Sequence, residues 1–197
     1  MTVNRSIADR RFILGSGSPR RLELLAQIGI KPDLIKPPDI DEASKKLELP
    51  KNYCIRMARQ KAEAILIENN EVLLTADTTV SVGTKIIGKP QNIDQAREYL
   101  LMMAGRRHKV ITAVAVKYQD KYLERCVVST VKMKRMSDID LEAYLREGEW
   151  KGKAGGYGLQ GTAATFIPWI QGSYSAIIGL PLAETTALLS SVGIRSS

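Results

Sequence analysis

Residues 12–21 constrain the chain most. Phe12, Ile13 and Leu14 make a short apolar strand, Gly15, Ser16 and Gly17 a small-residue turn, and Ser18-Pro19 the start of a helix carrying Arg20 and Arg21. A strand running through a tight turn into a helix is how an alternating α/β chain opens. The glycines let the backbone turn and approach a ligand, Ser18 is a candidate N-cap, and Pro19 fits the first helical position. An anion placed there meets free backbone N–H groups and the positive end of the helix dipole, and Arg20 and Arg21 add charge-assisted donors. The same residues also suit a capped surface helix with a solvated basic turn, since neither nucleotide-binding glycine pattern is present.

A chain of 197 residues with 44% hydrophobic content can bury one core or two closely joined lobes, and one domain over 1–197 is the expectation. No apolar run approaches the roughly 20 residues of a membrane span. The start, Met1 to Arg11, has no apolar signal-peptide core, so a cytoplasmic protein without a membrane partner is expected. Cys54 and Cys126 lie far apart and in no metal-ligand spacing, and read as reduced packing residues. The net charge of +8 favours an anionic partner. Basic residues are spread rather than gathered in an arm, and aromatics are only 6%, so a small phosphorylated ligand is favoured over nucleic acid.

Along the chain, strands and helices alternate without repeats or linkers. The first helix places Leu22, Leu25 and Ala26 on one face and stops at Gly29. Residues 30–50 read as an extended segment and loop. A second helix is expected from about Asn52 to Asn69, with Ile55, Ala58, Ala62, Ile65 and Leu66 as its stripe. A strand from Val72 to Ala76 ends at Asp77, and 80–82 with 85–87 look like a hairpin around Gly83-Thr84. Asn92 with Gln95 resembles a capping box and opens a helix to about Gly105. Strands over about 108–118 and 122–135 flank a turn at 119–121, and in the second Val127, Ser129, Val131 and Met133 alternate with Val128, Thr130, Lys132 and Lys134. Ser137 with Asp140 caps a helix to about Glu147, and a last helix covers 182–192. Hairpins mixed with helices imply an α/β protein with a mixed sheet and flanking helices.

Candidate chemistry is scattered over four loops. Asp77, followed by Thr78 and Thr79, could bind a metal or take a proton from water, or simply end a strand. Lys89 sits on a rigid Gly-Lys-Pro loop or is merely solvated. Asp41-Glu42 suits a hard cation, although acidic loop pairs are usually solvated. Residues 152–161 hold five glycines, which argues for backbone that must approach something, and Gln160 there offers both donor and acceptors to a base edge. His108, the single histidine, has no nucleophile in evident partnership and reads as structural.

Together these segments resemble the Maf-like nucleotide pyrophosphatases. The resemblance runs from Leu14 to Thr185, through LGSGSPRRLELL at 14–25, Asp41-Glu42, ARQKA at 58–62, ADTTV at 76–80, GKP at 88–90, Gly105 with the His108–Thr112 stretch, GEWKGKAGGYGLQG at 148–161, and the glycine-containing segments at 172–174 and 179–182. It implies a fold similar to the inosine triphosphate pyrophosphatases, two lobes around a cleft, commonly a homodimer. It also implies hydrolysis of nucleoside triphosphates to monophosphate and pyrophosphate with Mg²⁺ or Mn²⁺. Carried over by motif, Asp77 is the proton acceptor, Ser16, Arg20, Arg21, Lys61 and Lys89 hold phosphate, Asp41, Glu42 and Asp77 are the acids for the metal, and Arg20, Thr78 and Gln160 set specificity. The late loop looks like that of the subgroup acting on dTTP and UTP, whereas the 7-methyl-GTP subgroup carries a different loop with Glu at the Gln160 position. Gln60 and Ala104 depart from the common pattern, which has an acid and a serine there. A 7-methyl-GTP pyrophosphatase and a non-catalytic nucleotide- or nucleic-acid-binding regulator of cell division are the alternatives.

Overall fold

The structure is a computed structural model and describes residues 10–196. Strand β1 (Arg11–Gly15), helix α1 (Pro19–Gln27), the two-residue β2 (Leu34–Ile35), helix α2 (Pro50–Glu63) and strand β3 (Glu71–Val82) form the first half. Then follow β4 (Lys85–Ile87), α3 (Ile93–Met103), β5 (Arg107–Tyr118), β6 (Lys121–Lys132), α4 (Asp138–Glu147), β7 (Trp169–Gln171), α5 (Tyr174–Ile178) and α6 (Leu182–Ser191). They build a seven-stranded sheet in the order β2-β1-β3-β5-β6-β7, with β4 paired to β3. β1 pairs in parallel with β2 and β3, and the other pairs are antiparallel, so the sheet is mixed as expected.

β1 is a continuous apolar run because both its faces are covered. Phe12 and Leu14 pack with Leu24, Leu25, Leu188 and Leu189 of α1 and α6. Ile13 faces the other way, onto Cys54, Ala58 and Ala62 of α2. A third cluster gathers Val80, Leu100, Val110, Val131, Tyr144 and Trp150 around the far ends of the long strands, under α3 and α4. The strands β3 and β5 thus run through two lobes.

The main correction concerns β3. The strand does not stop at Asp77 but continues to Val82, paired with β5 from Val72↔Tyr118 to Ser81↔Lys109. Asp77, Thr78 and Thr79 read as a strand end because polar residues seldom lie mid-strand. They are tolerated here because each has a partner. α2 starts at Pro50, whose missing N–H suits a first turn, and ends at Glu63, so Leu66 falls beyond it and is exposed. On α1 the buried pair is Leu24 and Leu25, Leu22 is half-buried, and Ala26 is exposed. β7 and α5 carry too few residues to show a period.

The caps follow the sequence closely. Asn92 accepts the Gln95 N–H at 2.9 Å, while the Gln95 side chain accepts from Gln91 N rather than from Asn92. Ser137 accepts the Asp140 N–H at 3.2 Å and donates to its carboxylate. Ser18 holds the N-cap position of α1 without a side-chain cap bond, and its N–H instead donates to the Ser16 hydroxyl at 3.2 Å. Cys54 and Cys126 are free thiols, and Cys54 is buried.

Candidate active site

Between the two lobes lies a cleft of about 610 Å³. Its walls are the β1–α1 turn from Gly15 to Arg21, Pro37, Pro38 and Glu42 of the following loop, Lys61 of α2, Asp77 and Thr78 of β3, Lys89, the stretch from Glu149 to Gly161, and Ile177 to Gly179. Ser16, Arg20, Arg21, Glu42, Lys61, Asp77, Thr78, Lys89 and Gln160, nominated from scattered motifs, all reach it. Asp41 does not. It is exposed, and its carboxylate accepts the Ala43 N–H at 2.8 Å.

The floor is a chain of alternating charge. Lys61 Nζ lies 2.7 Å from Asp77 Oδ1 and 2.8 Å from Glu42 Oε1, and Glu42 Oε2 lies 3.5 Å from Lys89 Nζ. Exposure rises along it, from 9% for the Asp77 and Lys61 side chains to 41% for Glu42 and 55% for Lys89. The inner pair is therefore the strong one, and the outer contact is weakened by solvent. Asp77 Oδ2 also accepts from the Thr79 hydroxyl at 2.9 Å, so each carboxylate oxygen has one partner and one lone pair left. Burial pushes the Glu42 carboxyl up, but the hydrogen bond and charge of Lys61, then Lys89, outweigh it and hold the group below the usual carboxylate range.

The two arginines differ. Arg21 is tied on three sides, donating to Gly179 O at 2.9 Å, Ser16 Oγ at 2.9 Å and Thr78 Oγ1 at 3.3 Å. It joins the phosphate turn, β3 and the end of α5, and its burial works against the charge while Asp77 supports it. Thr78 is fixed further by the Thr112 hydroxyl at 3.1 Å. Arg20 is half-buried and makes no ion pair among the described residues. The first turn of α1 carries no acidic residue, so its dipole faces the cleft uncompensated.

Gly15 serves packing rather than ligand approach, because a Cβ there would sit 2.6 Å from Thr75 Cγ2. The late loop is held at both ends, with one side chain left open between them. Gly155, at φ +72°, donates its N–H to Gly88 O at 2.9 Å, which links this loop to the one bearing Lys89. Tyr144 Oη donates to Gly156 O at 3.0 Å, and Tyr157 Oη lies 2.6 Å from His108 Nε2. His108 is buried, desolvation lowers its pKa to about 4, and it does not line the cleft, which agrees with its reading as structural. Gln160, just before the second attachment, is exposed, and its amide makes no hydrogen bond among the described residues.

Two residues that motif reading left without a role also line the cleft. Glu149 Oε2 accepts the Thr162 N–H at 2.7 Å, and its carboxylate lies so close to Gly161 that a Cβ there would be 2.4 Å away. Lys153 packs its stem over Gly158 and donates to the main-chain carbonyl of Glu149. Both stand inside GEWKGKAGGYGLQG, but their roles depend on how the loop folds back on itself, which spacing does not reveal.

Among the described residues no helix is long and apolar enough to cross a membrane. A model of the family described as Maf-like protein matches residues 11–192. A dTTP/UTP pyrophosphatase of Ruegeria sp. (strain TM1040) is 59% identical over 182 residues, covering 92% of this chain and 94% of that protein. One of Cereibacter sphaeroides is 57% identical, covering 93% and 95%. A nucleoside triphosphate pyrophosphatase of Anaplasma marginale (strain Florida) is 49% identical, covering 90% and 92%. Among solved structures, a HAM1 protein from Coxiella burnetii aligns with a TM-score of 0.44 at 14% identity, over 64% of this chain and 74% of that one.

Proposed function

This chain belongs to the Maf family, and from that premise we propose that its cleft hydrolyses dTTP and UTP to the nucleoside monophosphate and pyrophosphate. The observation that carries the reading is the buried Asp77–Lys61 pair at the floor of a cleft whose other charged groups are mostly cations. A triphosphate brings up to four negative charges. Arg20, Lys61 and Lys89 offset them, Ser16 offers a hydroxyl, and Arg21 keeps Ser16 and Thr78 in place.

In the reaction a water oxygen bonds to phosphorus as the bridging P–O bond between the α and β phosphates breaks, and that electron pair leaves with pyrophosphate. Asp77 takes the water proton through a free lone pair while Lys61 and Thr79 hold its carboxylate in orientation. Lys61 and Lys89 then face the charge that grows on the leaving group.

The donor set suits a substrate-borne Mg²⁺ or Mn²⁺. Lys61 brings the Glu42 and Asp77 carboxylates within one ammonium of each other with lone pairs left on both, and such ions are commonly held by one or two carboxylates plus phosphate oxygens. These two would hold the ion, while Asp41 lies outside the cleft lining. When bound, the metal supplies charge neutralisation at the phosphates.

Gln160 presents both a donor and an acceptor to the uracil or thymine edge, which supports pyrimidine selection over the purine and 7-methyl-GTP alternatives. We further propose a cytoplasmic homodimer, as the family resemblance implies, and the two free thiols support a reducing compartment. The test is pyrophosphate release over dTTP, UTP, CTP, ATP, GTP and 7-methyl-GTP, each with Mg²⁺, Mn²⁺ and chelator. dTTP and UTP should lead and chelator should stop the reaction. Preference for 7-methyl-GTP, or nucleotide binding without release, overturns the reading.

A further inference from the structure

We infer that Lys153 binds substrate, forming with Arg20 a second anion subsite for the phosphate that stays with the nucleoside after cleavage. The inference rests on the nucleotide-hydrolase reading of the cleft and extends it to a residue not yet given a role.

Four observations lead there. Lys153 and Arg20 both line the cleft, and among the described residues neither makes an ion pair, whereas Lys61 and Lys89 are engaged by Asp77 and Glu42. Glu149 Oε2 accepts from Thr162 N and Oε1 is buried without a hydrogen-bond partner, yet neither oxygen pairs with the Lys153 ammonium, which bonds only the Glu149 main-chain carbonyl. An ammonium has three protons, so two remain for a ligand. Burial disfavours the Lys153 charge, and nearby Arg20 disfavours it further while Glu149 supports it. Two cations that repel each other across the cleft gain most from an anion placed between them.

Position selects the anion. Lys153 lies seven residues before Gln160 on the loop offered to the base, and Arg20 opens α1 on the turn offered to the phosphates. A group held by both lies between base and polyphosphate tail, where the phosphate bonded to the nucleoside must be. The stem of Lys153 passes close over Gly158, where a Cβ would come within 2.9 Å of its Cε, so the glycine leaves room for the lysine to lie along the loop.

The test is calorimetric binding of dTMP and of inorganic pyrophosphate to the wild-type protein, Lys153→Met, which keeps the apolar stem, and Lys153→Arg, which keeps the charge. Lys153→Met should bind dTMP about tenfold more weakly, the scale of one charge-assisted hydrogen bond, and pyrophosphate as wild type does. Lys153→Arg should recover most of the dTMP affinity. If Lys153→Met fails to fold, Lys153→Gln, which also removes the charge but keeps a polar end, replaces it. Unchanged dTMP affinity overturns the subsite, and so does an equal loss for dTMP and pyrophosphate, which marks only the general charge of the cleft. Wild-type protein that binds dTMP but releases no pyrophosphate from dTTP overturns the proposed reaction and leaves this measurement readable.

Discussion

Asp77 is held by the Lys61 ammonium on one oxygen and the Thr79 hydroxyl on the other, so replacing it by Asn preserves shape and most hydrogen bonding while removing the proton acceptor. Asp77→Asn should lower kcat by at least about 10²-fold, the usual scale for loss of a general base, with a much smaller change in dTTP affinity. Steady-state pyrophosphate release and calorimetry check both, and wild-type turnover in the variant removes Asp77 from proton transfer. At this scale much was legible. A small-residue turn with arginines, an acid after an apolar strand and a lysine in a Gly-Lys-Pro loop announce anion chemistry by type, and Ser16, Arg20, Asp77 and Lys89 were found that way, whereas Lys61 came only with the family resemblance. That Lys61 pairs with Asp77 was not legible from the residues alone, because the contact depends on which face α2 turns toward β3. Asp41 and Glu42 are neighbours of like type, yet only Glu42 points into the cleft.

Among the elements, the late loop depends most on a single atom. A methyl group on Gly161 would strike the Glu149 carboxylate at 2.4 Å, forcing it off the Thr162 N–H. Gly161→Ala should therefore displace Gln160 and cut kcat/KM for dTTP by about tenfold, with little change in melting temperature. Unchanged kcat/KM means that the Glu149 clasp does not govern the loop. The loop before α2 offers a pH test. Arg56 donates to the Glu48 carboxylate at 2.7 and 2.6 Å and lowers its pKa to about 2. The unfolded chain, with a glutamate near 4.3, takes up the proton first, so this contribution is present above about pH 4.3 and is lost as pH falls toward about 2. Glu48→Gln should flatten the fall of the urea midpoint across that window, and an unchanged slope contradicts the assignment. Capped helices and apolar strands were readable because their signals are local. The continuation of β3 was not, because its polar residues are stabilised by partners from α2 and β5.

Over the whole molecule, β3 and β5 are shared by both lobes, so neither lobe should unfold alone. Leu73 is fully buried on the α2 side, and Leu73→Ala should cost about 2–5 kcal/mol. Far-UV circular dichroism and tryptophan fluorescence, which comes from Trp150 in the other lobe and Trp169 on β7, should report the same shifted transition. Separate transitions would mean that the chain is two folding units rather than one. The mixed sheet was foreseeable from hairpins interleaved with helices, but the cleft itself was not, since it exists only where the β1–α1 turn, β3 and the late loop meet. The central claim is that this cleft cleaves pyrimidine triphosphates chosen by Gln160, and it is tested most directly by kcat/KM for dTTP, UTP, CTP and 7-methyl-GTP in wild type and in Gln160→Glu. Wild type should favour dTTP and UTP, and the variant should lose that preference by roughly ten- to a hundred-fold, as the loss of one polar match worth about 1–3 kcal/mol requires. Equal rates on all four nucleotides, or a preference untouched by the substitution, would contradict it.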